Sequence, residues 1–272
     1  MSNCFDEYIE LIKCSIKAKE KISTMTYVNI STMTIIAQLD QEIDISILNS
    51  NFSTTGYPIC TIIPAKEHHE YNLTARGKKK KSFYNQTTIR FVDHTTKSIK
   101  IFSNGKLQIT GVTSPLEAED ICKIICTIIN KIPFCTCNKI DLISYKIAMI
   151  NTNFCYNVGI DIKELKKLLT KLPNIQVSFD SDRYPGLNIK HKNSDDTYTS
   201  ILFFTTGSVV ITGVKSFKGI NEAFTIITDI ISKNFDKLKT NLKVNSPKTK
   251  KNILSKHNGY YKKDLRCAGI KC

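Results

Sequence analysis

No stretch of about 18 uninterrupted apolar residues occurs, the length a membrane-crossing helix needs, so no such helix is expected. The basic-then-apolar order of a secretion signal is also missing, because Asp6, Glu7 and Glu10 interrupt it. A soluble, unsecreted, intracellular protein is expected. The ten cysteines contain no C-x-x-C pair and no histidine at zinc-ligand spacing beside them. Cys135-Thr136-Cys137 comes nearest to a metal pair, but reduced structural thiols are the expectation. Cys122 and Cys126 lie four apart in an apolar helical run, where free cysteine acts as a small hydrophobe. No metal or cofactor is expected.

Catalytic patterns are absent too. There is no Ser-His-Asp signature, no phosphate loop and no carboxylate pair in a glycine-rich setting. The histidines (His68, His69, His94, His191 and His257) fall mostly in expected loops, and His68-His69 has no third ligand nearby. The chain reads as a non-enzyme. Acidic residues are scarce: 24 Asp and Glu stand against 39 Lys and Arg in 272 residues, a net charge of +15. Such an excess points to a polyanionic partner, most often nucleic acid.

What the chain does have is a repeat. IFSNGKLQITGVTS at 101–114 returns as FFTTGSVVITGVKS at 203–216, an offset of 102 residues. Each copy reads as strand, tight turn, strand and then helix, which argues for an internally duplicated fold. Around the first copy the pattern gives a strand at 27–40, a short helix near 41–49, and strands at 87–92, 97–102 and 106–111 that form a meander. Asn104-Gly105 supplies the hairpin turn. Ser114-Pro115-Leu116-Glu117 reads as an N-cap serine, a first-turn proline and a glutamate completing a capping box, with Pro133 as the stop. Around the second copy come a strand at 146–156, a helix opened by Asp161 and closed by Pro173, four strands between 175 and 213, and a helix from Phe217. Residues 5–20 have helical spacing, with Phe5, Ile9, Ile12 and Ile16 on one face. The domain reading is an N-terminal extension helix (1–21), repeat 1 (22–138, with a basic loop insertion at about 53–85 carrying Lys78 to Lys81), repeat 2 (139–240) and a basic tail (241–272).

Alternation along the strands orients them. Ile99 and Ile101 share one face, and Lys100 and Phe102 the other. Ile201 and Phe203 oppose Leu202 and Phe204, and Val209 and Ile211 oppose Val210 and Thr212. About two helices per repeat cover only one face of a five-stranded sheet. The uncovered face then keeps aromatic and aliphatic residues among Thr, Asn and Lys, the mark of a binding surface.

These features resemble the TATA-box-binding protein family, in the divergent form of large nucleocytoplasmic DNA viruses. The likeness covers roughly residues 22–240 and rests on the paired hairpins, on YPGLNIK at 184–190, and on the repeated order of strand, helix, four strands, helix. It implies an α+β saddle: a curved antiparallel sheet of about ten strands in two pseudo-twofold repeats, helices on the convex face, and a concave face in the DNA minor groove. The family is itself a reference case for apolar wedges that kink DNA, so the kink is implied by the likeness and not by composition. Carried over, Phe102 and Phe204 match one wedge of each pair. Tyr184 stands at a third, and Phe83 is the choice for the fourth, with Tyr84 and Tyr57 as rivals. Asn29, Asn151, Thr110 and Thr212 match the central groove contacts, and Val210 keeps a groove-facing valine. Ser31, Gln108 and Asn153 replace others. Arg90, Lys100, Lys106 and Lys190 are assigned to phosphates.

The implied function is a general transcription initiation factor. It binds AT-rich double-stranded promoter DNA as a monomer and recruits a transcription factor IIB-like protein and RNA polymerase, in the host nucleus or a cytoplasmic virus factory or packaged in the virion. Two other readings stay open. One is a protein-interaction factor of a viral transcription complex without TATA-specific binding, and the other a non-specific nucleic-acid-binding architectural protein.

Overall fold

The computed structural model describes residues 2–52, 60–64, 85–92 and 96–242. Within these the chain forms two compact units. One is Met33–Ala148, the first-copy unit. The other joins Met1–Thr32 to Met149–Cys272, the second-copy unit. The boundary falls inside two long strands, β1 (Asn29–Leu39) and β6 (Leu142–Cys155).

In the first-copy unit, β1 is followed by α2 (Ile45–Asn51), β2 (Cys60–Pro64), β3 (Gln86–Val92), β4 (Thr96–Phe102), β5 (Lys106–Val112) and α3 (Pro115–Asn130). The strand order is β2-β3-β4-β5-β1, with antiparallel neighbours throughout. Asp44 caps α2 by accepting from the Ile47 N–H at 2.9 Å. The strand β2 falls within the stretch read as a basic loop, so the expected three-strand meander has four strands. Pro58 and Pro64 mask its pattern. A sheet tolerates proline in an edge strand, and β2 is at the edge. The β4–β5 turn needs Gly105: its φ is +74°, and a Cβ there would lie 2.4 Å from the Gln41 carbonyl oxygen.

The α3 cap forms with one difference from expectation. Ser114 Oγ accepts from the Glu117 N–H at 3.1 Å. The Glu117 carboxylate reaches one residue farther back than a capping box does, accepting from the Thr113 N–H (2.7 Å) and hydroxyl (2.9 Å). The helix stops at Asn130, before Pro133. Asn130 exchanges two side-chain hydrogen bonds with the Ile140 backbone there, at 2.7 and 3.0 Å. Ile99, Ile101, Leu107, Ile109, Ile121, Ile125 and Ile128 are sealed between sheet and helix. Each such side chain contributes roughly 1.5–3 kcal/mol.

The second-copy unit follows the same plan: β6, a short β7 (Gly159–Ile160), α4 (Ile162–Leu169), β8 (Ile175–Ser178), β9 (Gly186–Lys192), β10 (Tyr198–Phe204), β11 (Ser208–Val214) and α5 (Phe217–Lys233). Then α6 (Phe235–Leu238) and β12 (Lys239–Thr240) close the described chain, with β12 paired to β7. The main strand order is β6-β11-β10-β9-β8. Asp161 caps α4 through the N–H groups of Lys163 and Glu164. Ser216 caps α5 through Gly219.

The N-terminal helix α1 (Ser2–Lys21) packs on α5 with Tyr8, Leu11, Ile12, Ser15 and Ala18 inward. The Tyr8 ring lies 5.1 Å from that of Phe217. Glu7 accepts from the Lys218 N–H at 3.1 Å, placing a carboxylate at the positive end of α5. Beneath α5 the core is aromatic, with Phe154 against Phe224 at 5.1 Å and Tyr156 stacked on Phe203 at 5.8 Å.

Candidate nucleic-acid interface

Burial alternates along the strands as the residue pattern requires. In β4 and β5, Lys97, Ile99, Ile101, Leu107 and Ile109 are buried, while Ser98, Lys100, Phe102, Gln108 and Thr110 are half-buried on the other face. In β10 and β11, Ile201, Phe203, Val209 and Ile211 are buried, and Leu202, Phe204, Val210 and Thr212 are half-buried opposite them. Each unit therefore has a helix-covered face and an open one, and the open face carries those residues assigned to DNA that are among the described ones.

In the second-copy unit the open face carries an apolar patch. Leu202 and Val210 sit across from each other in the β10–β11 register. At the end of β10, Phe204 packs against Tyr184 with ring centroids 5.9 Å apart. Tyr184 is 44% exposed, so the pair stands at the edge of the face within reach of a partner. Gly186 seats it. Gly186 pairs with Phe204, and a Cβ on it would lie 2.8 Å from the Tyr184 ring and 3.0 Å from the Phe204 ring. Sequence reasoning left Gly186 without a role. The signal was present: a glycine opening a strand two residues after one aromatic and opposite another.

The polar centre of this face is held by hydrogen bonds. Asn151 Oδ1 accepts from Thr212 Oγ1 at 2.7 Å and from the Gly213 N–H at 3.2 Å. The amide is thereby oriented with its NH₂ left as the donor. Asn29 Nδ2 donates to Asn153 Oδ1 at 3.2 Å, and Ser31 Oγ donates to the Asn151 carbonyl at 3.0 Å. Sequence reading placed Asn29 and Asn151 at the centre; only the structure shows that Asn153 and Ser31 bind into the same group. Lys190 is exposed on this face, opposite Ser200.

In the first-copy unit the same positions are polar. Lys100 and Gln108 face each other where the second copy has Leu202 and Val210. Thr110 Oγ1 donates to the Ser98 carbonyl at 3.3 Å. Arg90 is exposed opposite Ser98, as Lys190 is opposite Ser200. Lys106 opens β5 and is exposed. Phe102 pairs with Gln86, where Phe204 has Gly186. Counting back two residues from Gly186 reaches Tyr184, and the same step from Gln86 reaches Tyr84, one past Phe83. Phe83, Tyr84 and Tyr57 all lie outside the described residues, as do the Lys78–Lys81 run, His68-His69 and the tail beyond Leu242.

Among the described residues no three His, Cys, Asp or Glu side chains group as metal ligands. The thiols carry the mark of core residues. Burial pushes Cys122 up to about 12, and Cys126 and Cys135 to about 11. Cys135 Sγ donates to the Asp44 carbonyl at 3.8 Å. Among the described residues no helix is long and apolar enough to cross a membrane.

A family model described as "Transcription factor TFIID (or TATA-binding protein, TBP)" matches residues 144–234. A TATA-box-binding protein-like protein of Acanthamoeba polyphaga mimivirus is 30% identical over 246 residues, which cover 80% of this chain and 64% of that relative. The chain thus spans less than two thirds of the length of the curated relative it matches. A solved structure, Methanococcus jannaschii TBP, is 21% identical with a TM-score of 0.48, covering 76% of this chain and 98% of that one. Residues 144–234 thus match the TATA-binding-protein family model, and over 80% of its length the chain is similar to the mimivirus TATA-box-binding protein-like protein.

Proposed function

We propose that this protein is a transcription initiation factor that binds AT-rich duplex DNA in the minor groove through the open sheet faces, bends it with aromatic wedges, and so marks a start point for RNA polymerase recruitment through a transcription factor IIB-like partner. The observation that carries the reading is the second-copy face. Its rim presents the Tyr184–Phe204 pair, and its centre presents an Asn151 amide whose oxygen is already occupied, so its N–H groups point to acceptors. Adenine N3 and thymine O2 are acceptors in both orientations of an A·T pair, and the guanine amino group obstructs the same approach. Leu202 and Val210 beside them supply the apolar surface that favours a dry, widened groove.

Unstacking a base step costs a few kcal/mol and bending adds roughly 1–6 kcal/mol. The apolar face and phosphate neutralisation by Arg90, Lys100, Lys106 and Lys190 together offset these terms. The charge excess of +15 makes binding steeply salt-dependent.

The test is a titration onto end-labelled AT-rich and GC-rich duplexes with bending read by energy transfer. The expected result is a bend and tighter binding on the AT-rich duplex, with the bend lost in the Tyr184→Ala, Phe204→Ala double variant. Equal affinity for both duplexes without a bend overturns the reading. That outcome would favour the protein-interaction alternative, for which one observation speaks. Asn29 and Asn153 already spend a hydrogen bond on each other and Ser31 spends its hydroxyl on the Asn151 backbone carbonyl, which lowers what these three offer DNA.

A further inference from the structure

The open faces of the two copies differ at one cross-strand pair in each hairpin. Lys100 and Gln108 face each other in the first copy, and Leu202 and Val210 in the second. All four side chains are half-buried on the open face. Among the described residues neither Lys100 nor Gln108 spends its side chain on a hydrogen bond or an ion pair. On its other side Gln108 meets Ile36 of β1. Ile36 carries no polar atom and Lys100 no acceptor. The glutamine amide therefore keeps both its oxygen and its NH₂ for a partner.

The second copy offers less to a donor at this place. Leu202 and Val210 bring no polar atom. Asn151 Oδ1 already accepts twice, from Thr212 Oγ1 at 2.7 Å and from the Gly213 N–H at 3.2 Å. Asn153, the register partner of Val210, has its Oδ1 engaged by Asn29 at 3.2 Å. Thr110 and Thr212 do not separate the copies, because each donates its hydroxyl hydrogen within the sheet.

From the minor groove an A·T pair shows only acceptors, whereas a G·C pair adds one donor, the guanine amino group. Pressed against an aliphatic pair, that donor is buried without a partner, which weakens binding. Against Gln108 it meets an amide oxygen. Resting on the reading of the open faces as minor-groove surfaces, we infer that Gln108 is a base-reading residue whose Oε1 accepts from a guanine amino group. The duplex on the first-copy face then accommodates a G·C pair that the second-copy face rejects. Lys100 has no acceptor with which to compete for that hydrogen, and it stays with the phosphates. Facing an A·T pair, the same amide gives its NH₂ to adenine N3 or thymine O2, so the first-copy face takes both kinds of pair. One G·C pair in an otherwise symmetric AT-rich site thus fixes which way round the protein sits.

The full chain is titrated onto a self-complementary AT-rich duplex, with affinity and bending read together. A G·C pair is moved stepwise through one half and then placed in both halves. Each guanine is also exchanged for inosine, which lacks the amino group. The penalty is the Kd ratio of the guanine duplex to the inosine duplex, so a general change in affinity cancels. At the step that meets Gln108, the expected penalty is about twofold for one half, the statistical factor for losing one of two equivalent orientations, and about tenfold for both halves. Gln108→Val is expected to raise the one-half penalty to about tenfold, and Val210→Gln to relieve the two-half penalty to about twofold. A bent parent duplex with equal penalties for one half and both, or with a one-half penalty unmoved in Gln108→Val, overturns this inference alone. A parent duplex that is neither bent nor preferred over a GC-rich one overturns the minor-groove reading and this inference with it.

Discussion

At one pair of corresponding positions the two copies solve the same packing problem differently. The first buries an ion pair, Lys97 with Glu117, both side chains no more than 3% exposed. The second buries Thr199 beside Gly219 and fills the space with Asn193, whose amide hydrogen-bonds to Thr197, Thr199 and His191. Their open faces differ in the same sense: Lys100 and Gln108 in the first copy, Leu202 and Val210 in the second. At these positions the first copy is thus charged on both sides of its sheet, where the second has an aliphatic pair outside and no ion pair within. One backbone pattern tolerates both because the strand register fixes where side chains point, not what they carry.

The largest effect should come from breaking the ion pair. Glu117→Ala leaves Lys97 buried without its carboxylate and also removes the acceptor of the Thr113 N–H. It should cost about 3–5 kcal/mol in denaturant unfolding. Gly219→Ala, at the matching site, sets a Cβ 3.0 Å from Asn193 Nδ2 and 3.1 Å from Val214, and should cost roughly 1–3 kcal/mol by overpacking. If the glycine change proves the more damaging, the charged and neutral solutions are not equivalent in the way proposed.

Next in size is the aromatic rim. Gly186→Val drives a side chain into the Tyr184–Phe204 pair and should abolish bending of AT-rich DNA while leaving the melting temperature nearly unchanged. Gln86→Gly, at the matching site of the first copy, should leave bending intact. Loss of bending from the second change and not from the first would reverse the assignment of the dominant wedge.

A smaller effect is expected from making the first face resemble the second. Lys100→Leu with Gln108→Val removes one phosphate contact, so the slope of log affinity against log salt should flatten by about 0.9. An unchanged slope would take Lys100 out of the interface.

The smallest concerns the thiols. Burial raises Cys122 from 9.0 to about 12. The folded state therefore holds this proton more tightly than the unfolded chain. The stabilisation is complete below pH 9 and is lost as pH rises from there toward 12. Cys137 is exposed, and a thiol reagent at neutral pH should modify it well before Cys122 and Cys126, as read by peptide mass mapping.

Much of this was legible in the residues. The 102-residue offset, the Asn104-Gly105 turn and the period-two burial of β4, β5, β10 and β11 follow from local chemistry, which has a short reach along the chain. The strand β2 was not, because five residues ending in proline carry no periodic signal and are held by pairing with β3. Nor was the ion pair: Lys97 and Glu117 lie on a strand and a helix, and each alone reads as a solvated charge.

Sequence alone determined the duplication, the two faces of each sheet, the caps at Ser114 and Asp161, and the excess of positive charge, since all of these depend on neighbours or on composition. Tertiary structure decided which charges are buried, which amide oxygen is occupied, why Gly186 must be glycine, and that His191 is buried beside Asn193. Each of these is set by atoms distant in the chain that meet only when strands and helices pack, and no local pattern encodes that meeting.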